Sequence, residues 1–286
     1  MEPVLNVDCK TPANIADTLS RTICVQKTNT STFRLIILGI LAGAYIGFGA
    51  CLATTVGSDA AKILGLGLSR LVTGAVFSLG LMLVVIAGAE LFTGNNLMLM
   101  SVLDKRASMA KMLQKWAIVL IANFVGAILL AYMYFETNLW KMGDMAVGIN
   151  ALKLAAFRMN LTFSEALMRG ILCNWLVCLA VWMALASRDV VGKIFAIFFP
   201  IMAFVAIGFE HCVANMYFIP LGLFLKDFII VDPKVFDVAS LTANLTWSNF
   251  FIKNLLPVTI GNIIGGALFV GLIYWTVYVR DTIKKQ

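Results

Sequence analysis

The chain is divided by long runs of residues that carry no charge. Leu35–Thr54, Leu71–Ala89, Trp116–Phe135, Gly170–Ser187 and Asn254–Val279 are uncharged, and the run from Ile194 to Lys226 is interrupted only by Glu210. A helix needs about 20 apolar residues to cross the hydrocarbon core of a bilayer. The six runs match that length, so an all-α membrane protein with six transmembrane helices in a lipid bilayer is expected. Composition agrees, since 61% of the 286 residues are hydrophobic and 13% are charged. An ordinary globular domain has roughly 45–50% and about 25%. A soluble enzyme, a disordered chain and a nucleic-acid-binding module are thereby excluded.

The net charge of +7 is then loop charge rather than a nucleic-acid surface. Lys and Arg are concentrated in the N-terminal arm, the loops after spans 2 and 4, and the tail; fewer lie on the opposite side, at Lys62, Lys141, Lys153, Arg158, Lys226, Lys234 and Lys253. Cytoplasmic loops carry the excess of basic residues, so both termini are expected in the cytoplasm and the protein in the cell (inner) membrane. The polar N-terminus does not read as a cleavable signal peptide. The expected organisation is a cytoplasmic arm over 1–33, a six-helix domain over 34–280 and a cytoplasmic tail over 281–286. Cys9, Cys24, Cys51, Cys173, Cys178 and Cys212 form no CxxC pair and read as small apolar packing residues. With a single histidine besides, neither a metal site nor a cofactor is expected.

Self-similarity is more informative. Gly88-Ala89-Glu90-Leu91-Phe92-Thr93-Gly94-Asn95 and Gly208-Phe209-Glu210-His211-Cys212-Val213-Ala214-Asn215 are both G-x-E-x-x-x-x-N. Asn123-Phe124-Val125-Gly126 in span 3 matches Asn262-Ile263-Ile264-Gly265 in span 6, and Thr32-Phe33 with Gly39 matches Thr162-Phe163 with Gly170. Spans 1–3 (about 34–135) and 4–6 (about 162–280) are expected to be copies. Three is odd, so the second copy enters from the other side and the repeat is inverted. Inverted-repeat transporters place their sites near the midplane, on discontinuous helices in corresponding positions of the two halves. Irregular backbone at that depth must be buried or line a cavity, and Glu and Asn side chains can satisfy its freed groups.

The runs Gly88–Asn95, Asn174–Ala180, Gly208–Met216 and Asn254–Gly266 resemble the formate/nitrite transporter family over nearly the whole chain. The resemblance implies an aquaporin-like protomer with broken helices 2 and 5, one pore per protomer and a homopentamer. By position it implies that Leu91 and Leu81, with Phe77 nearby, form one apolar constriction and Phe204 the other. It pairs Thr93 with the central histidine, His211, and associates Asn174 and Asn262 with the central chamber. Where the family often has a vestibular lysine, this chain has Arg158, which keeps the charge but does not release its proton.

His211 is the only histidine, and an ionisable residue inside a membrane motif is functional by default. A negative charge in an anion path would repel substrate, so Glu90 and Glu210 are read as structural, tying loop backbone amides, with Asn95 and Asn215 in the same motifs. Glu165 and Arg169 stand four apart and suggest a helical ion pair. The function implied is a channel or transporter for small monovalent anions of weak acids, formate first, then nitrite and hydrosulfide. Two alternatives are a neutral-solute channel of aquaporin type, whose paired Asn-Pro-Ala motifs are missing, and lactate-type monocarboxylate/proton transport, which needs a wider constriction.

Overall fold

The computed structural model describes residues 9–231 and 237–280. Lys234, Lys284, Lys285 and the tail over 281–286 lie outside the described residues. Six helices among the described residues are long and apolar enough to cross a membrane. The arm is itself helical over 12–29 (α1), with a π-turn at Leu19–Ile23. It leads into α2 (Thr32–Val56) and α3 (Ala60–Gly88), then after a break α4 (92–103) and α5 (Met109–Glu136). The second half runs through α6 (Ala146–Met159), α7 (Phe163–Ala186) and α8 (Val190–Ile207). After a second break come α9 (Cys212–Leu225) and α10 (Trp247–Tyr278). The expected inverted arrangement of two broken halves is the one observed.

Local signals explain the starts. Ser31, Ser108 and Asp189 accept the N–H three residues on, and Thr162 with Glu165 closes a capping box; such caps are each worth about 1 kcal/mol. Glu165 is therefore engaged with the Thr162 N–H and hydroxyl, both at 2.8 Å, rather than held by Arg169, which lies over the Phe157 ring at 5.2 Å. The helices also outrun the uncharged stretches. α3 begins eleven residues before Leu71, is kinked at Gly65 (φ 71°), and contains Lys62 before the kink and Arg70 after it. Lys62 is exposed, so its stem can lie on apolar surface with the charge outside; Arg70 is held by backbone carbonyls.

Within each half the first and last spans meet through glycine. A Cβ on Gly126 would run into the Ile40 carbonyl, and one on Gly265 into the Ile171 carbonyl. Lipid is as apolar as leucine, so helices in a membrane gain from close backbone packing at small residues. The outward faces stay apolar, with Ile121, Phe195, Phe199 and Ile207 exposed.

Helix α1 of the arm is packed down rather than free. Ile15, Ala16, Leu19 and Cys24 are buried. Arg21 reaches Asp104 at 3.5 Å, a carboxylate that also takes Arg106 at 2.7 Å, and Lys115 donates to the Thr30 carbonyl at 2.8 Å. The Cys24 thiol donates to the Leu97 carbonyl at 3.4 Å, and burial pushes it up to about 12. Only thiolate reacts readily, and Cys9 is the one exposed cysteine. The folded protein at neutral pH is expected to take maleimide quickly at Cys9 alone, as read by mass spectrometry. Rapid labelling of Cys24, Cys173, Cys178 or Cys212 before denaturation would contradict this packing.

Candidate functional site: two broken helices and the histidine between them

Each break begins at a glycine in the left-handed region, Gly88 at φ 89° and Gly208 at φ 95°, a conformation that costs other residues a Cβ clash. Beyond it three residues lie outside the helix before it resumes at Phe92 or Cys212. The freed groups are satisfied the same way twice. Glu90 N–H donates to the Leu38 carbonyl at 3.1 Å and Glu210 N–H to the Arg169 carbonyl at 3.3 Å. Asn123 Oδ1 accepts from Phe92 N–H at 2.9 Å, while its Nδ2 donates to the carbonyls of Gly39 at 2.8 Å and Glu90 at 2.9 Å. Asn262 accepts from Cys212 N–H at 2.9 Å and donates to the carbonyls of Gly170 at 2.8 Å and Glu210 at 3.0 Å.

This corrects the reading of Glu90 and Glu210. Their carboxylates do not tie the loop amides; Asn123 and Asn262 do. A carboxylate can only accept, whereas each break exposes both N–H and C=O, and one amide side chain serves both. The carboxylates instead take the Asn95 and Asn215 amides, at 2.9 and 2.7 Å. Each assembly is closed by a cation. Lys27 Nζ lies 2.6 Å from Glu90 and donates to Asn95 Oδ1 at 2.9 Å. Arg158 Nε donates to Asn215 Oδ1 at 3.0 Å and lies 4.0 Å from Glu210. The interval from Lys27 to Arg158 equals that from Gly39 to Gly170, so the likeness of the halves reaches upstream into α1 and α6.

Two cavities flank the breaks. One, of about 500 Å³, is lined by Lys27, Arg34, Leu81, Glu90, Leu91 and Asn95 among others. The other, of about 290 Å³, is lined among others by Arg70, Phe77, Arg158, Phe204, His211 and Phe218. Leu81 and Leu91 are buried against the first cavity, Phe204 against the second. Phe77 does not join Leu81 and Leu91. It sits edge-on to Phe204 at 5.7 Å and stacks on Phe218 at 6.4 Å. The reason is pitch: Phe77 is about one turn before Leu81, some 6 Å along the axis, which carries it to the second side.

Between the cavities, Thr93 Oγ1 and His211 Nε2 are 3.0 Å apart, and both residues are buried. His211 caps α9: its Nδ1 accepts from Ala214 N–H at 3.1 Å. A nitrogen that accepts carries no proton, so the neutral ring holds its hydrogen on Nε2, facing Thr93. The Phe204 ring lies nearly parallel to the imidazole, centroids 6.0 Å apart. The resumed helices start at this level, so the positive ends of their dipoles converge on it. Leu91 is the repeat counterpart of His211; each lies one residue after the motif glutamate.

Asn174 lies behind the first loop. Its Nδ2 approaches Asn96 Oδ1 at 2.8 Å, the Thr93 carbonyl at 3.2 Å and the Asn262 carbonyl at 2.6 Å. Asn174 and Asn262 are fully buried and engaged with backbone, so they support the chamber rather than line a cavity. Sequence reasoning missed Lys27 and Asn123 as site residues, although Arg158, set back by the Gly39–Gly170 interval, points to Lys27, and the Asn-x-x-Gly match with Asn262 points to Asn123. Asn254, whose Oδ1 accepts from Asn215 at 2.8 Å, opens one of the runs that carry the family resemblance but has no role implied there, and Arg70 carries no motif signal.

Six spans, an inverted repeat and two broken helices meeting at a polar pair define an inverted-repeat membrane transport protein. A formate/nitrite transporter family model matches residues 13–276, and the chain belongs to that family. It is 44% identical to a probable formate transporter of Methanothermobacter thermautotrophicus, covering 95% of this chain and 98% of that one. It is 38% identical to the formate channel FocA of Escherichia coli (strain K12), covering 90% of each. A solved pentameric formate channel with formate bound matches with a TM-score of 0.76 at 35% identity, over 87% of this chain and 98% of that one. An FNT family ion channel matches with a TM-score of 0.76 at 30% identity, over 93% and 98%.

Proposed function

We propose that the chain forms a homopentameric channel, one pore per protomer, for small monovalent anions of weak acids, with formate as the first substrate. It sits in the cell membrane with both termini cytoplasmic and acts without catalysis. The observation that carries this reading is the buried Thr93–His211 pair, 3.0 Å apart, standing between two cavities that each hold a basic side chain. The likeness to formate channels supports the substrate.

The geometry supports a role for each side chain. Lys27 and Arg158 offset Glu90 and Glu210, so neither mouth presents an uncompensated carboxylate. The positive potential of the two cavities concentrates an anion. Leu81 with Leu91 on one side, and Phe204 with Phe77 on the other, strip water from whatever passes. A bare ion pays heavily for that unless donors replace its hydration. The Nε2–H of His211 and the Thr93 hydroxyl are the donors at the dry point, and they suit a small planar oxyanion. Asn95, Asn174, Asn215 and Asn262 hold the loops that aim them.

The test is flux through the purified protein in liposomes, comparing formate, nitrite, hydrosulfide and lactate at two pH values. Formate is expected to pass in a saturable manner and faster than the bulkier lactate. Flux of all four no greater than in empty liposomes would overturn the reading.

A further inference from the structure

The half-helix α8 ends at the edge of the second cavity, which places the negative end of its dipole beside the anion path. Its last carbonyls can be accounted for one by one. Phe204 and Val205 accept from Gly208 N–H at 3.1 Å, and Phe204 also from Phe209 N–H at 2.9 Å. The chain turns away before it can serve the next two. Arg70, arriving from α3, serves both: Nε donates to the Ala206 carbonyl at 2.6 Å and Nη2 to the Ile207 carbonyl at 3.0 Å. The guanidinium presses on Gly208, where a Cβ would come within 2.5 Å of Nη2. At the corresponding end of α3, no side-chain hydrogen bond reaches the carbonyls of residues 85–88 among the described residues. The cap therefore belongs to one half only.

We propose that Arg70 is a positioning residue for anion entry through the second cavity. Its charge cancels the negative helix end there, and its fork holds the turn that delivers Glu210 and His211. Lysine keeps the charge but is a single point donor; glutamine keeps a donor and loses the charge. The proposal rests on the anion-channel reading above.

The experiment measures initial formate uptake into liposomes against formate concentration, at low and high salt, for the wild type, Arg70→Gln and Arg70→Lys. Arg70→Gln is expected to raise the half-saturating concentration about fivefold, the scale of a helix-end charge interaction, with a weaker salt dependence than wild type. Maximal flux per assembled protein should change far less. Arg70→Lys should return the half-saturating concentration most of the way. A purely structural role would instead lower maximal flux and leave half-saturation in place, which would overturn the proposal. So would failure of Arg70→Lys to restore entry, or failure of both variants to assemble, since either makes Arg70 a folding element. A wild type without flux would sink the channel reading itself. Wild-type flux with an unmoved Arg70→Gln half-saturation would sink only the role of Arg70.

Discussion

Replacing His211 with phenylalanine is expected to cut formate flux by about tenfold to a hundredfold at saturating concentration. The ring is kept but both nitrogens are lost. The dry point between the cavities then offers a permeating anion only the Thr93 hydroxyl, which has lost its partner at 3.0 Å. A hydrogen bond to a charged group is worth about 1.5–3 kcal/mol, and each 1.36 kcal/mol is about tenfold in rate. The same change removes the cap on Ala214 N–H, so a second variant is needed. His211→Asn keeps a short oxygen acceptor able to cap α9 but is too short to span to Thr93. It should assemble like the wild type and still lose flux, measured in liposomes at pH 6 and 7.5. Two variants with wild-type flux and pH profile would remove His211 from the conduction path.

The second large effect concerns stability. Asn262→Leu leaves two buried groups without partners, Cys212 N–H and the Glu210 carbonyl, and strips a second donor from the Gly170 carbonyl. At about 1–3 kcal/mol per orphaned group the loss is several kcal/mol, and hydrocarbon surroundings offer no water in compensation. Loss of the assembled particle in detergent, followed by size exclusion after stepwise heating, is the expected outcome. Asn123→Leu should do the same, because it strands the equivalent groups of the first break. Asn160→Leu, on the exposed α6–α7 turn, should not. An Asn262→Leu protein that elutes and melts like wild type would mean that the breaks are held some other way.

The membrane spans and both breaks were legible because a bilayer imposes a length and an apolar profile. Glu90 and Glu210 therefore stand out in their stretches. The inverted arrangement follows from three matches in the same order, of which G-x-E-x-x-x-x-N is one, together with the odd number of spans in each copy. What escaped was contact between distant segments. Lys27 lies in an arm helix that is not apolar, so it read as topology charge, and only the fold brings it to Glu90. Asn123 marks the repeat in the sequence, but nothing local says that its amide faces a broken helix in another span. Phe77 was misplaced because one turn of helix carries it to the opposite side from Leu81. The backbone role assigned to the glutamates failed because the loops needed a donor and an acceptor together.

The two halves build their mouths from the same parts, a cation, a carboxylate and an asparagine, on a shared glycine break. At the central step they differ, with leucine in one half and histidine in the other. A scaffold of this kind has no inherent forward direction. Import and export run over the same sequence of surfaces in reverse order. Any preference for one direction is then traceable to the positions where the halves disagree, chiefly Leu91 against His211 and the unmatched Arg70. Exchanging side chains there, rather than remodelling an entrance, is the direct way to alter how flux in each direction responds to its driving force.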